Sequence, residues 1–351
     1  MAKNKEEKFV PKLVQKQRVQ DSNVDRTTIS FYRYFKISNP EEFMEKLLMD
    51  FGEIGVFGRI YLANEGINAQ ISIPSQNVDK LRSYLDADSD MKDVPFKIAV
   101  EDDGKSFYKL KIKVRDKVVA DGLNDKTFDV TDVGNHLNAV EYNKAIEDGA
   151  IIIDMRNHYE SEVGHFEGAH CPDADTFREL LPQVEEEFAD KKDEKILLYC
   201  TGGIRCEKAS AYFKHKGFKD VNQLKGGIIQ YAHEVSEQGL DCKYKGKNFV
   251  FDDRLGEKIT EDILSECHQC GEPSDDHTNC KNDACHLLFI QCTKCAEKMN
   301  GCCTDECVSV LALPLEEQME LRKEVARRAK ELGGDMAVYK SRIRPRLEVK
   351  G

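Results

Sequence analysis

The stretch Ile196-Leu197-Leu198-Tyr199-Cys200-Thr201-Gly202-Gly203-Ile204-Arg205-Cys206, continued by a helical segment over residues 207–216, decides the fold of the middle of this chain. Four apolar residues read as a short buried strand. A cysteine and two glycines separate it from the helix. Glycines let backbone N–H groups turn inward, and a helix N-terminus adds partial positive charge. A sulfur anion held in such a loop is stabilised, so the pKa of Cys200 should fall. Thr201, Gly202, Gly203, Ile204 and Arg205 are the candidate loop residues around that anion. A loop sized for a phosphoryl group needs Cys-x5-Arg. Here Arg205 comes one position sooner, and position 206 is a second cysteine. The tighter loop suits a sulfur atom or persulfide better than a phosphate ester. Cys206, at the start of the helix, offers a resolving thiol as the redox alternative.

Working outward, Ala150-Ile151-Ile152-Ile153-Asp154 is a second apolar run, and residues 221–224 form a shorter third. Such runs suit strands covered on both faces of a parallel sheet. Helical segments between them complete an α/β domain over residues 137–240. Residues 27–120 show a different rhythm. Strands are expected over 28–37, 56–62, 69–73, 96–100 and 107–119. Helices are expected over 40–50, with Asn39 as N-cap before Pro40, and over 76–85, with Ser75 as cap. Strand–helix–strand–strand–helix–strand is a ferredoxin-like, acylphosphatase-like α+β pattern. The chain therefore reads as multidomain: a loose polar arm (1–26), the ferredoxin-like domain (27–120), a linker near 121–135, the α/β domain, a Cys-rich region (241–314) and a charged helical tail (315–351). Residues 322–350 carry ten Lys/Arg against four Asp/Glu, so the tail either contacts RNA or is a solvated, frayed end.

Composition bounds the rest. Of 351 residues, 40% are hydrophobic and 33% charged, which suits a globular protein and excludes wholesale disorder. No run approaches the ~18 apolar residues of a membrane span, and the polar N-terminus lacks the apolar core of a secretory signal. A cytoplasmic location, with no membrane partner, is expected. The net charge of −12 argues against nucleic-acid binding by the surface at large, but not by a local basic site.

One such site is legible. Lys109, Lys111, Lys113, Arg115 and Lys117 alternate with Leu110, Ile112, Val114 and Asp116. On one strand all five cations share a face, spaced about 6.8 Å apart. That strip could track a nucleic-acid backbone, or be a solvated face that guards a sheet edge. Tyr32, Tyr34 and Tyr61 are candidate base-stacking partners, or half-buried core aromatics.

Nine of the 13 cysteines fall between Cys267 and Cys307. In a reducing cytosol such crowding signals metal rather than disulfides. Cys267-x2-Cys270 and Cys292-x2-Cys295 are zinc-type knuckles. A cross-brace would place Cys267, Cys270, Cys292 and Cys295 on one ion. Cys280, Cys285, Cys303 (or Cys302) and Cys307 would hold a second, with His268, His277 and His286 as possible substitutes. Structural zinc is expected, and an iron–sulfur cluster is the alternative.

Several motifs resemble the rhodanese family in its own order. Asp154-Met155-Arg156 matches its Asp-x-Arg, and residues 164–169 match its Gly-His-x-x-Gly-Ala. The Cys200 loop and the Gly226-Gly227 pair follow. The resemblance implies that Cys200 bears the reactive sulfur and that Arg205 and the loop N–H groups stabilise its charge. Asp154 and Arg156 are supporting residues that brace loops, and His165 is a packing histidine. Over residues 27–310 the chain further resembles the tRNA uridine(34) hydroxylase family. The carriers are Thr27-Thr28-Ile29-Ser30-Phe31-Tyr32, Asn64-Glu65-Gly66-Ile67-Asn68-Ala69-Gln70, Val114-Arg115-Asp116, residues 154–160, residues 200–208 and the cysteine region. That resemblance implies an oxidoreductase that uses O2 as co-substrate to convert the wobble uridine of tRNA to 5-hydroxyuridine. Cys200 would be catalytic, the anticodon loop the partner, and an unidentified donor the source of electrons. The sequence shows no flavin or nicotinamide fingerprint and no two-His-one-carboxylate iron motif. Two alternatives stand beside this reading: a rhodanese-type sulfurtransferase that passes a Cys200 persulfide to an acceptor, and a non-enzymatic zinc- and RNA-binding module.

Overall fold

A computed structural model describes residues 12–124, 126–331 and 345. The N-terminal sequence, expected as a loose arm, contains a helix, α1 (Lys12–Gln20); residues 1–11 lie outside the described residues. The next elements are β1 (Arg26–Tyr34), α2 (Pro40–Glu53), β2 (Phe57–Ala63), β3 (Gly66–Pro74), α3 (Val78–Asp86), β4 (Lys97–Ile98) and β5 (Leu110–Val114). Their sheet runs β4-β1-β3-β2-β5. The first four strands are antiparallel, as in a ferredoxin-like fold, and β5 adds a parallel fifth strand at the edge beside β2. One apolar core, including Ile29, Phe31, Leu47, Phe51, Ile60 and Ile71, fills the space between sheet and helices.

Local chemistry sets the boundaries. Asn39 caps α2 as expected, accepting from the Glu42 N–H ahead of Pro40. Ser75 does not cap α3. Its hydroxyl pairs with Thr27 Oγ1 at 2.8 Å, and the chain makes a 3-10 turn over Ser75–Asn77 before the helix begins. β1 stops at Tyr34 because the N–H groups of Phe35 and Ile37 turn to the carbonyls of Glu65 and Asn64. The long basic strand expected over 107–119 is confined to β5, because Val118 N–H turns away to the Glu65 carboxylate at 2.9 Å.

The second domain holds β6 (Asn135–Leu137), α4 (Ala139–Glu147), β7 (Ile151–Asp154), α5 (His158–Ser161), β8 (Gly164–Phe166), α6 (Phe177–Glu187), β9 (Lys195–Tyr199), α7 (Ile204–His215), β10 (Asp220–Leu224) and α8 (Gly227–Gln238). The sheet β6-β10-β9-β7 is wholly parallel. Ile196 and Leu198 face one core and Leu197 and Tyr199 the other, which is why β9 reads as an unbroken apolar run.

Beyond it, β11 (Tyr244–Asn248) pairs with β8 and with β12 (Glu257–Lys258), tying the C-terminal region to the α/β domain. The cysteine region carries β13 (His277–Asn279), β14 (Leu288–Ile290), α9 (Thr293–Lys298) and α10 (Asp305–Leu311). The charged tail forms α11 (Leu315–Glu331); residues 332–344 and 346–351, which hold part of its basic charge, lie outside the described residues. Among the described residues no helix is long and apolar enough to cross a membrane.

Candidate active site

Cys200 directly follows β9, at the bottom of the predicted loop, and is buried. Gly203, at φ 94°, is the N-cap of α7 and aims its N–H at Cys200 Sγ, 3.1 Å away. The loop is pinned from behind by the second glycine pair. Ile228 N–H donates to the Cys200 carbonyl at 3.0 Å, and Ile229 N–H to that of Thr201 at 3.2 Å. Gly227 allows this approach: a Cβ there would sit 2.5 Å from the Cys200 carbonyl oxygen. Burial by itself would raise the Cys200 pKa. A hydrogen bond from the Cys206 thiol, the charge of Arg205, and the N–H groups of Cys206 and Arg205 outweigh it and bring Cys200 to about 6. Cys206 is driven the other way, chiefly by burial, and stays a protonated donor. The two cysteines are free thiols.

Arg205 does not enclose the loop alone. Its guanidinium lies 2.5 and 2.8 Å from the two oxygens of Glu160, which is fully buried. Such bidentate geometry fixes both groups. Glu160 also accepts from Asn157 N–H as the return half of a capping box on α5. The Asn157-x-x-Glu160 spacing was a readable signal for that cap, but nothing local showed that the carboxylate also reaches Arg205. Asp154 and Arg156 form a buried pair behind the loop, with Tyr199 Oη donating to Asp154 at 2.7 Å and Arg156 to the Gly164 carbonyl at 2.6 Å. They brace the strand ends and do not line the cavity. His165 is held by the Ser161 carbonyl.

The loop opens into a cavity of about 460 Å³, in the range of small-molecule sites. One wall is the N-terminal sheet, with Phe31, Tyr32, Tyr61, Asn68, Gln70 and Lys97. The others come from the α/β domain and from Val250–Glu257 residues such as Phe251 and Arg254. Sequence reasoning missed this junction. Tyr32 Oη donates to Glu207 on α7 at 3.0 Å, and Glu207 also meets His136 and Gln223 at 3.0 and 3.1 Å. Lys208 on α7 bonds Glu65 in the Asn64-Glu65-Gly66 turn at 2.8 Å. Tyr32 and Tyr61 line the cavity, while Tyr34 packs beneath the Lys208 ammonium.

On β5 and its flanks, Lys109, Lys111 and Arg115 are exposed and Lys113 is half-buried. Lys117 has left the strand: its ammonium binds Asp121 at 2.8 Å and the Leu123 carbonyl at 2.7 Å. The strip is therefore shorter than five cations and runs along a sheet edge.

The cysteines gather into two sets whose sulfurs all lie within 4.8 Å of one another: Cys267, Cys270, Cys292 and Cys295, and Cys280, Cys285, Cys303 and Cys307. The Sγ separations of 3.7 Å (Cys270–Cys292), 3.6 Å (Cys285–Cys303) and 3.7 Å (Cys303–Cys307) suit a tetrahedron. Zn–S bonds of about 2.3 Å give an edge of about 3.8 Å. The donor sets thus fit zinc, in the cross-braced order read from the spacing. Cys302 stands aside from both sets. His268 lies 3.1 Å from Glu162 of the α/β domain, not in a sulfur set.

Three family descriptions match in succession: a UPF0176 acylphosphatase-like domain over residues 26–118, a rhodanese-like domain over 138–234, and a "Rhodanase C-terminal" segment over 245–308. The chain is 56% identical over 337 residues to the tRNA uridine(34) hydroxylase of Leptospira interrogans, covering 96% of this chain and 90% of that protein. It is 57% identical to the protein of the same name from Escherichia fergusonii, with 86% of each covered. For the one from an Enterobacter species the identity is 54%, over 94% of this chain and 93% of that protein.

Proposed function

The chain belongs to the tRNA uridine(34) hydroxylase family, and from that premise we propose that it hydroxylates carbon 5 of the wobble uridine of tRNA, with Cys200 as the working sulfur and O2 as co-substrate. The observation that carries the reading is the stabilised thiolate of Cys200 at the floor of a cavity that is walled by the N-terminal sheet, the α/β domain and the segment around Arg254 and is large enough for a base. A base acted on in this way must leave its stack and enter a pocket, which the anticodon loop allows.

Uracil carbon 5 is reached through carbon 6. The Cys200 thiolate adds at carbon 6, and the electron pair of the 5,6 double bond moves towards the carbon 4 oxygen. Carbon 5 then becomes nucleophilic towards oxygen. Loss of its proton and expulsion of the thiolate restore the double bond. One oxygen atom enters the base and the other leaves as water, with two electrons and two protons from an external donor. The loop N–H groups hold the sulfur. The Tyr32–Glu207–His136 chain links the cavity wall to the surface, where a proton can be exchanged. Lys109, Lys111, Lys113 and Arg115 would meet tRNA phosphates. The two four-cysteine sets would hold zinc, which ties the C-terminal loops together without entering the reaction.

Mass spectrometry of tRNA nucleosides tests this in strains with wild-type protein, without it, and with Cys200→Ala, each under air and nitrogen. We expect 5-hydroxyuridine from this route to vanish in the variant and under nitrogen. An unchanged level in the variant overturns the reading. Thiosulfate:cyanide turnover without any effect on tRNA would replace it with sulfurtransfer.

A further inference from the structure

Four cationic side chains line the cavity: Arg59, Lys97, Arg205 and Arg254. Two are neutralised within the protein. Arg205 is engaged by Glu160, and Arg254 is clamped by Asp252 and Glu257 at 2.5 and 2.6 Å. Among the described residues, Arg59 reaches the Phe251 carbonyl at 3.5 Å and lies beside Lys111 on the neighbouring strand. Lys97 is different. It is 6% exposed, yet among the described residues its ammonium has no carboxylate or hydrogen-bond acceptor. Its partner is the face of the Tyr32 ring, 4.2 Å from Nζ to centroid.

Lys97 comes from β4 of the N-terminal domain but lies across the thiolate loop. A Cβ on Gly202 would be 3.7 Å from its Cδ, and one on Gly226 3.7 Å from its Cε. The side chain therefore runs within van der Waals reach of both glycine loops. β4 is held against the α/β domain where the Ile98 carbonyl accepts from His233 Nε2 at 2.8 Å, and the chain just after it is held to β12 where Val100 N–H donates to Glu257 at 3.2 Å. Burying an ammonium without a partner is costly, so an anion in the cavity is its natural complement. The charged or titratable groups that face it are Cys200, Glu207 and Tyr32, and Glu207 is already bonded to Tyr32, His136 and Gln223.

We propose that Lys97, delivered by the N-terminal domain, is a second cation beside Arg205 for the anionic sulfur of Cys200, and the one that meets the negative charge the substrate develops next to it. The active site is then assembled across domains, and the ferredoxin-like domain supplies a chemical group as well as a surface for RNA. Burial brings Lys97 itself down to about 8, with the charges of Cys200 and Glu207 opposing that fall. The part that concerns substrate charge rests on the function proposed above; the part that concerns Cys200 does not.

The test is therefore read at Cys200. Full-length protein is alkylated with iodoacetamide from pH 4.5 to 9, and the Cys200 peptide is followed by mass spectrometry. In Lys97→Met the midpoint should rise by about one pH unit, which lowers the rate about tenfold at pH values below the wild-type midpoint. Lys97→Gln should behave alike, and Lys97→Arg should keep the wild-type midpoint. A wild-type midpoint in both neutral variants, or an Arg variant shifted as far as the neutral ones, overturns the proposal. Failure of the Cys200→Ala nucleoside experiment would remove the proposed reaction while leaving this result intact.

Discussion

Replacing Glu160 by glutamine isolates what the Glu160–Arg205 pair does for the loop. Glu160 is fully buried and the Arg205 side chain is 11% exposed, so the pair is effectively out of water. Removing one partner of such a pair leaves an uncompensated charge and costs about 3–5 kcal/mol. Glutamine keeps an oxygen for Asn157 N–H and so preserves the cap on α5. The loss should therefore sit near the lower end, about 3 kcal/mol. Urea unfolding at pH 7 reads this directly. With a slope of roughly 2 kcal/mol per molar, the transition should move down by about 1.5 M. A second readout separates the brace from the thiolate. With its carboxylate gone, the Arg205 charge acts on Cys200 unopposed, so the alkylation midpoint of Cys200 should fall, opposite to the effect of Lys97→Met. A loss under about 1 kcal/mol would mean the pair behaves like an exposed one, and the bracing argument would fail.

Further outcomes follow from the geometry. Cys200 should alkylate with a midpoint near pH 6. Its folded pKa lies below its ordinary value of 9.0, so its ionisation stabilises the fold fully above about pH 9, and that contribution is lost as pH falls through 6. The stability gap between wild type and Cys200→Ala should accordingly widen from pH 6 to pH 9. Metal analysis should find zinc at both four-cysteine sets, with chelation destabilising the C-terminal region; a brown protein with visible absorbance would assign iron–sulfur instead. Alanine at Lys109, Lys111 and Lys113 together should weaken tRNA binding and flatten its salt dependence by roughly 0.7–0.9 for each phosphate no longer neutralised. Lys117→Ala should leave that slope alone and destabilise the protein through Asp121. Filter binding over a salt series checks both, and an unchanged slope in the triple variant would remove the strip from the RNA interface.

What the sequence disclosed was local in the chain. The run from Ile196 to Arg205 carries strand, loop glycines and helix start within a few residues, and the cysteine knuckles carry their ligand order in their spacing. The second sulfur set was legible for the same reason except for the choice between Cys302 and Cys303, which spacing leaves open and the gathering of the sulfurs gives to Cys303. The unread parts depend on long-range contact. Lys97 sits in an ordinary edge-strand context, and only the docking of β4 on the α/β domain brings it to Cys200. Glu160 could be read as a cap but not as the partner of Arg205. The basic strip misled at Lys117 because alternation cannot show where a strand ends. That end is set by Glu65, from the turn that follows the neighbouring strand β2.

The bond from Tyr32 to Glu207 joins positions 175 residues apart, and the cavity needs walls from residue 28 to residue 257. During synthesis, the N-terminal sheet and then the thiolate loop emerge well before the segment around Arg254 that completes the enclosure. A nascent α/β domain thus presents Cys200 in an open loop, and the finished pocket is a late event of assembly. Closing so long a span adds only about 1 kcal/mol of loop entropy over one of forty residues, so the delay is kinetic rather than energetic. Maturation of the enzyme is in effect a timer: the chamber around the sulfur closes only when most of the chain has been made.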